Sequence, residues 1–201
     1  AKLRSSYPKV HISLHQATPH EVARMVLDEQ AEIGMATESL ADYPDLVTLP
    51  CYEWEHVLVV PPSHPLATKE RIGLDDLAIE PLITYHPSFT GRNKIDAAFA
   101  ARQLHPRVVL EAIDSDVIKT YVRLGLGVGI VAEMAMREDP GVDLVARPLG
   151  HLFGQSVARV AFKRGAYLRN FVYKFAETLS DRLSRDLIIR AMQGEPSDYS
   201  L

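Results

Sequence analysis

The chain has 201 residues, 47% of them apolar and 24% charged, with a formal net charge of -4. That balance fits a globular chain long enough for one large domain or two small ones. It argues against nucleic-acid binding by this segment itself, because duplex binding needs clustered cations to displace counterions. The single cysteine, Cys51, excludes a disulfide framework and is compatible with a reducing compartment, and no run is long and apolar enough to span a membrane.

The chain opens at Ala1-Lys2-Leu3-Arg4 without a methionine and reads as a fragment, so the lack of a signal peptide carries little weight. Ala1 to Tyr7 reads as the end of a helix stopped by Pro8, and Val10 to His15 alternates like a strand. Thr18 caps a helix running through Val22, Met25, Val26 and Leu27. Ala31 to Ala36 reads as a second strand; Leu46 to Pro50 and Tyr52 to Val60 read as two further extended segments. A helical turn is expected at Leu74 to Leu77 and a short strand at Leu82 to Tyr85. A loop broken by Pro87 then leads into a helix with Ile95, Ala98 and Phe99 at helical spacing. Beyond it come a strand at Val108 to Ala112, a helix from Ser115 to Leu124, strands at Gly129 to Ala132, Leu144 to Leu149 and Ser156 to Phe162, and one long helix from Leu168 to Leu183. This order implies parallel sheets with right-handed crossovers. Two such runs are more than one sheet needs, and the last strand and helix return to the first run.

One stretch concentrates the chemistry. Between Pro81 and Phe99 a strand, a loop and a helix start leave backbone N–H groups pointing at open space with the positive end of a helix dipole behind them. Such a place suits an anion. Thr90 can cap or donate its hydroxyl, Gly91 lets the backbone come close, and Arg92 offers a planar donor for a carboxylate, sulfate or phosphate. From these residues alone an ordinary cap with a solvated arginine is the competing reading. Ligands on open sheets sit at carboxyl strand ends, which also singles out Thr37-Glu38-Ser39 after the Ile33 to Ala36 strand.

Other motifs fail on context. Gly125-Leu126-Gly127-Val128-Gly129 follows a helix and precedes a strand, the reverse of a dinucleotide loop, and reads as a helix stop and tight turn. His11 and His15 would lie about 13 Å apart on a strand and cannot share an ion. Cys51 with His56 lacks a third orienting group, so a buried cysteine is the plainer reading. Asp114 and Asp116 flank a helix start and most simply cap it. Tyr52 and Trp54 share a face of their strand, either as core or as a ligand-facing edge.

Taken together, Pro81 to Tyr85, Thr90-Gly91-Arg92 and the run Asp114-Ser115-Asp116-Val117-Ile118-Lys119-Thr120-Tyr121-Val122-Arg123-Leu124-Gly125-Leu126-Gly127-Val128-Gly129 resemble the effector-binding domain of LysR-type transcriptional regulators. More narrowly they resemble its CysB/Cbl-like sulfur-assimilation branch. His15-Gln16-Ala17-Thr18-Pro19, Ala36-Thr37-Glu38, Leu49-Pro50-Cys51-Tyr52-Glu53-Trp54 and His64-Pro65-Leu66 fit the same branch, and the Pro19-His20-Glu21 turn with Asp198-Tyr199 leans toward Cbl. The resemblance covers about Tyr7 to Phe175. It implies a type 2 periplasmic-binding-protein-like α/β fold of two Rossmann-like lobes around a central cleft, lobe I being residues 1–79 and 156–201 and lobe II residues 80–155. It also implies an N-terminal winged helix-turn-helix and a first lobe I strand, with a Thr-rich segment, upstream of Ala1. The expectation is then an incomplete pocket and an open sheet edge in this chain. The effector residues so implied are Thr37 and Thr90; Glu38, Trp54, Thr84, Phe89, Gly91 and Arg92 complete the candidate effector site, with no catalytic residue, metal or cofactor expected. The implied effector is sulfate, thiosulfate, an acetylserine or an adenosine phosphosulfate. The implied setting is a cytoplasmic homodimer or homotetramer, joined through the Val22 to Leu27 helix of one chain against the Val117 to Leu124 helix of another, with promoter DNA reached only through the absent domain and no membrane. A periplasmic solute-binding protein for a small anion is the alternative of another class. An enzyme on this scaffold is the remaining one, and no nucleophile or base constellation supports it.

Overall fold

The computed structural model describes residues 2–137 and 143–195, so the Asp198-Tyr199 pair lies outside the described residues. The helices are α1 (Lys2–Ser6), α2 (Pro19–Leu27), α3 (Leu74–Ala78), α4 (Thr90–Ala101), α5 (Ser115–Arg123), α6 (Met134–Arg137), α7 (Gly150–Phe153), α8 (Asn170–Ala176) and α9 (Arg185–Met192). The strands are β1 (Gly34–Ala36), β2 (Leu46–Val60), β3 (Pro81–Tyr85), β4 (Arg107–Ala112), β5 (Val128–Ala132), β6 (Val145–Pro148) and β7 (Gln155–Lys163). They build two compact units, Ala1–Glu53 with Val157–Leu201, and Trp54–Ser156. The division between Glu53 and Trp54 falls inside one unbroken strand.

In the first unit β7 lies between β1 and the first half of β2, and β1 runs antiparallel to β7 with Met35 opposite Val160. Alternation along these strands feeds two cores. Leu46 and Ala161 pack with Ala23, Val26 and Leu40 beneath α2. Val47, Leu49, Cys51, Val160 and Phe162 pack with Val172, Ala176, Leu183 and Ile188 beneath α8 and α9. Thr18 caps α2 as expected and closes a capping box with Glu21. Two expectations are corrected. Residues 10–15 form no strand: Ile12 is 42% and Leu14 85% exposed, and they border a hollow of about 310 Å³ lined by Leu3, Ile33, Val172 and Phe175. Alternation alone does not make a strand, which needs a neighbour for its N–H and C=O groups, and none pairs with this segment among the described residues. The single helix over 168–183 is two helices, α8 and α9, because Ser180 turns the chain, donating its hydroxyl to the Cys51 carbonyl at 2.7 Å, and Ser184 caps a new start.

In the second unit the order is β6, β2, β5, β3, β4. β3 runs parallel to both β4 and β5, whereas β2 runs antiparallel to β5 and β6, so the expected parallel sheet is mixed. Both faces are covered, which explains the unbroken apolar runs. Leu58, Val60, Leu82, Val128 and Ile130 face α3 and α4, packing with Ile95, Phe99 and Phe153. Val57, Val59, Ile83, Tyr85 and Val131 face α5, packing with Ile118 and Val122. The rejected glycine run is a packing device. Gly125 stops α5 at a φ of +77°, a β-carbon on Gly127 would lie 2.2 Å from the Pro81 carbonyl oxygen, and one on Gly129 would meet Val122 and Ile118 of α5.

Candidate functional site

The carboxyl end of β3 hands the chain to α4 through the exposed residues 86–88. Phe89 is the N-cap, in extended conformation, and its side chain makes no cap hydrogen bond. Its carbonyl starts the helical ladder, accepting from the N–H of Arg92 at 3.0 Å and of Asn93 at 3.4 Å. Thr90 and Gly91 therefore precede the ladder. α2, α5 and α9 begin on side chains that accept such bonds, Thr18, Asp114 and Ser184. The phenylalanine at this position cannot, so the cap side chain does not offset the dipole at this start. Thr90 is the first helical residue and not the cap.

Beneath this turn the backbone sits close on an aromatic pair. Trp54, 7% exposed, meets His56 edge-on with ring centroids 4.9 Å apart, and His56 meets Phe153 the same way at 5.7 Å. A β-carbon on Gly91 would come within 2.8 Å of His56 Nε2 and 3.2 Å of Trp54 Cη2, so glycine is what lets the turn descend this far. Lys94, one turn into α4, donates to the Gln155 carbonyl at 2.6 Å and the Ser156 hydroxyl at 2.9 Å and ties the same turn to the start of β7.

The family model of the LysR substrate-binding domain matches residues 1–184. The chain belongs to that family. It is 53% identical to the HTH-type transcriptional regulator CysB of Burkholderia cenocepacia, over all of this chain and 64% of that protein. It is 41% identical to the HTH-type transcriptional regulator Cbl of Escherichia coli, over 98% of this chain and 64% of Cbl. The chain thus spans a little under two thirds of the length of these relatives. Among solved structures, the cofactor-binding domain of the Cbl transcriptional regulator superposes with a TM-score of 0.86 at 41% identity, over 96% of this chain and 85% of that one. The α/β architecture is that of LysR effector-binding domains.

On this LysR domain the residues singled out from sequence separate by role. Phe89, Thr90, Gly91 and Trp54 come together at the start of α4. Arg92 turns inward: only 7% exposed, it donates from Nε to Asp96 at 2.8 Å and from Nη1 to Glu111 at 2.7 Å and to the Tyr85 carbonyl at 2.9 Å. Burial works against its charge, and the two carboxylates more than offset that, leaving its pKa above the ordinary value. Thr84 is fully buried and donates to the Ile130 carbonyl at 3.2 Å, stitching β3 to β5. Thr37 and Glu38 belong to the first unit. Thr37 precedes the 3-10 turn Glu38–Asp42, its hydroxyl 3.2 Å from that of Ser39. Glu38 accepts from the Val157 N–H at 3.2 Å. Cys51 lies in the core of the first unit, where burial pushes its thiol pKa up, the opposite of an activated nucleophile. Among the described residues no group of three His, Cys, Asp or Glu could hold a metal ion, and no helix is long and apolar enough to cross a membrane. His56, weighed from sequence only as a base beside Cys51, packs instead against Trp54 and Gly91. Its spacing of two from Trp54 on β2 was the available signal.

Proposed function

We propose that this chain is the effector-sensing domain of a LysR-type regulator of sulfur, cysteine or sulfonate metabolism, and that its effector is a small anionic sulfur-pathway metabolite held at the first turn of α4. The observation that carries the reading is the start of α4, where the Phe89 side chain supplies no acceptor and Gly91 brings the backbone down onto Trp54 and His56. Neutral N–H and hydroxyl donors suit a fully ionised sulfate, because no proton need be shared. Arg92 then acts behind the site as a strut. The names of the relatives favour a regulator over a transported-solute binder or an enzyme. Occupancy shifts the conformational equilibrium of the domain, and through it the placement of DNA-binding domains in a cytoplasmic homo-oligomer. The subunit contact proposed is α2 of one chain against α5 of another. It is supported by the apolar outer face of α5, where Val117, Tyr121 and Leu124 are 41%, 39% and 73% exposed.

Calorimetric titration with sulfate, thiosulfate, O-acetylserine and adenosine phosphosulfate tests the reading. One of them should bind, and Thr90→Ala should weaken it by about 1–2 kcal/mol, the cost of losing a hydrogen bond to a charged group. Heat from none of the four would sink the sulfur-anion assignment.

A further inference from the structure

We propose that His56 is the positioning residue of the α4 start, the floor that fixes where the Thr90 and Gly91 N–H groups point. The inference deepens the anion reading and rests on it for its functional meaning. His56 is fully buried, with its ring edge-on to both Trp54 and Phe153. Phe153 continues the contact to Phe99, 6.3 Å away on the same helix. The floor therefore touches α4 twice, at Gly91 directly and at Phe99 through Phe153. At Gly91 the fit has no slack: a β-carbon would be 2.8 Å from His56 Nε2 and 3.3 Å from Cε1, where real contacts essentially never fall under 3.0 Å. A flat ring of fixed thickness, edge-on to two aromatics, sets the height of the turn above it.

The test separates position from binding. Amide hydrogen exchange in the ligand-free chain reads the turn itself, and calorimetry with inorganic sulfate reads its use. His56→Ala should speed exchange at residues 90–93 by about tenfold while the β3 amides change by less than about threefold, and should weaken sulfate by about tenfold. Gly91→Ala should perturb the same amides. The double variant Gly91→Ala with His56→Ala should be milder than the sum of the two singles, because the new methyl group enters the space the imidazole left. Should His56→Ala not fold, His56→Gln carries the same comparison with less lost volume. Unchanged exchange at 90–93, or strict additivity in the double variant, overturns the proposal. The expected exchange pattern in a chain that takes no sulfate would uphold His56 as the floor and refute the sulfate reading of α4.

Discussion

The fate of Arg92 gives a prediction that separates an internal strut from a ligand clamp. Arg92→Ala removes three hydrogen bonds: one to the Tyr85 carbonyl, at the buried end of β3, and two to carboxylates whose side chains are 46% and 36% exposed. Stranding the carbonyl costs about 1–3 kcal/mol. Each half-exposed ion pair contributes less than about 1 kcal/mol, because solvent screens it. The total is about 1–5 kcal/mol, and in a chain of this size roughly 2–4 °C of Tm is lost per kcal/mol, so the melting temperature should fall by about 2–20 °C. Arg92→Lys should recover little, since an ammonium cannot span Asp96, Glu111 and the carbonyl in one plane. Thermal melts followed by circular dichroism give the stability. Calorimetry well below the melt gives effector affinity, which should stay within about threefold of the parent. A variant of parental stability that has lost effector binding would refute the strut and return Arg92 to the ligand.

Two more outcomes follow from the same packing. Gly127→Ala presses a methyl group against a backbone oxygen that cannot rotate away and should cost about 3 kcal/mol or more in denaturant unfolding. Gly125→Ala, which meets nothing within 4 Å and bears only a left-handed φ, should cost about 1 kcal/mol, and equal costs would contradict the close-approach account. Tyr85 shares its hydroxyl with Ser115 at 2.7 Å and accepts from the Ala132 N–H at 3.0 Å, and burial raises its pKa above the ordinary tyrosine value. Its contribution is therefore fully present below the unfolded pKa of about 10 and is lost as pH climbs from there toward the raised folded value. Tyr85→Phe should cost about 1 kcal/mol at neutral pH and flatten that alkaline fall, and parallel stability curves for parent and variant would count against it.

Much of this domain was legible from residue order because its causes are local. Thr18 with Glu21, Asp114 before α5 and Gly125 after it each act within a turn or two of the chain, and the period of the apolar residues marked α4, α5 and most of the strands. The strand end, loop and helix start that lead into α4 were equally local. Tertiary structure decided what depended on distant partners. Val10 to His15 alternates like a strand but stays irregular for want of a neighbour to pair with. β2 runs unbroken through Pro50 and Cys51 because β7 and β5 take its two halves. Arg92 looked like a ligand group from its neighbours in sequence, and it is Glu111, nineteen residues on, together with the carbonyl at the end of β3, that turns it inward. His56 gains its place from Gly91 and Phe153, residues that only folding brings against β2. Local propensity and periodicity act over one or two turns, whereas burial and hydrogen-bond satisfaction are settled between elements, so the elements could be read from the sequence and the duties of their side chains could not.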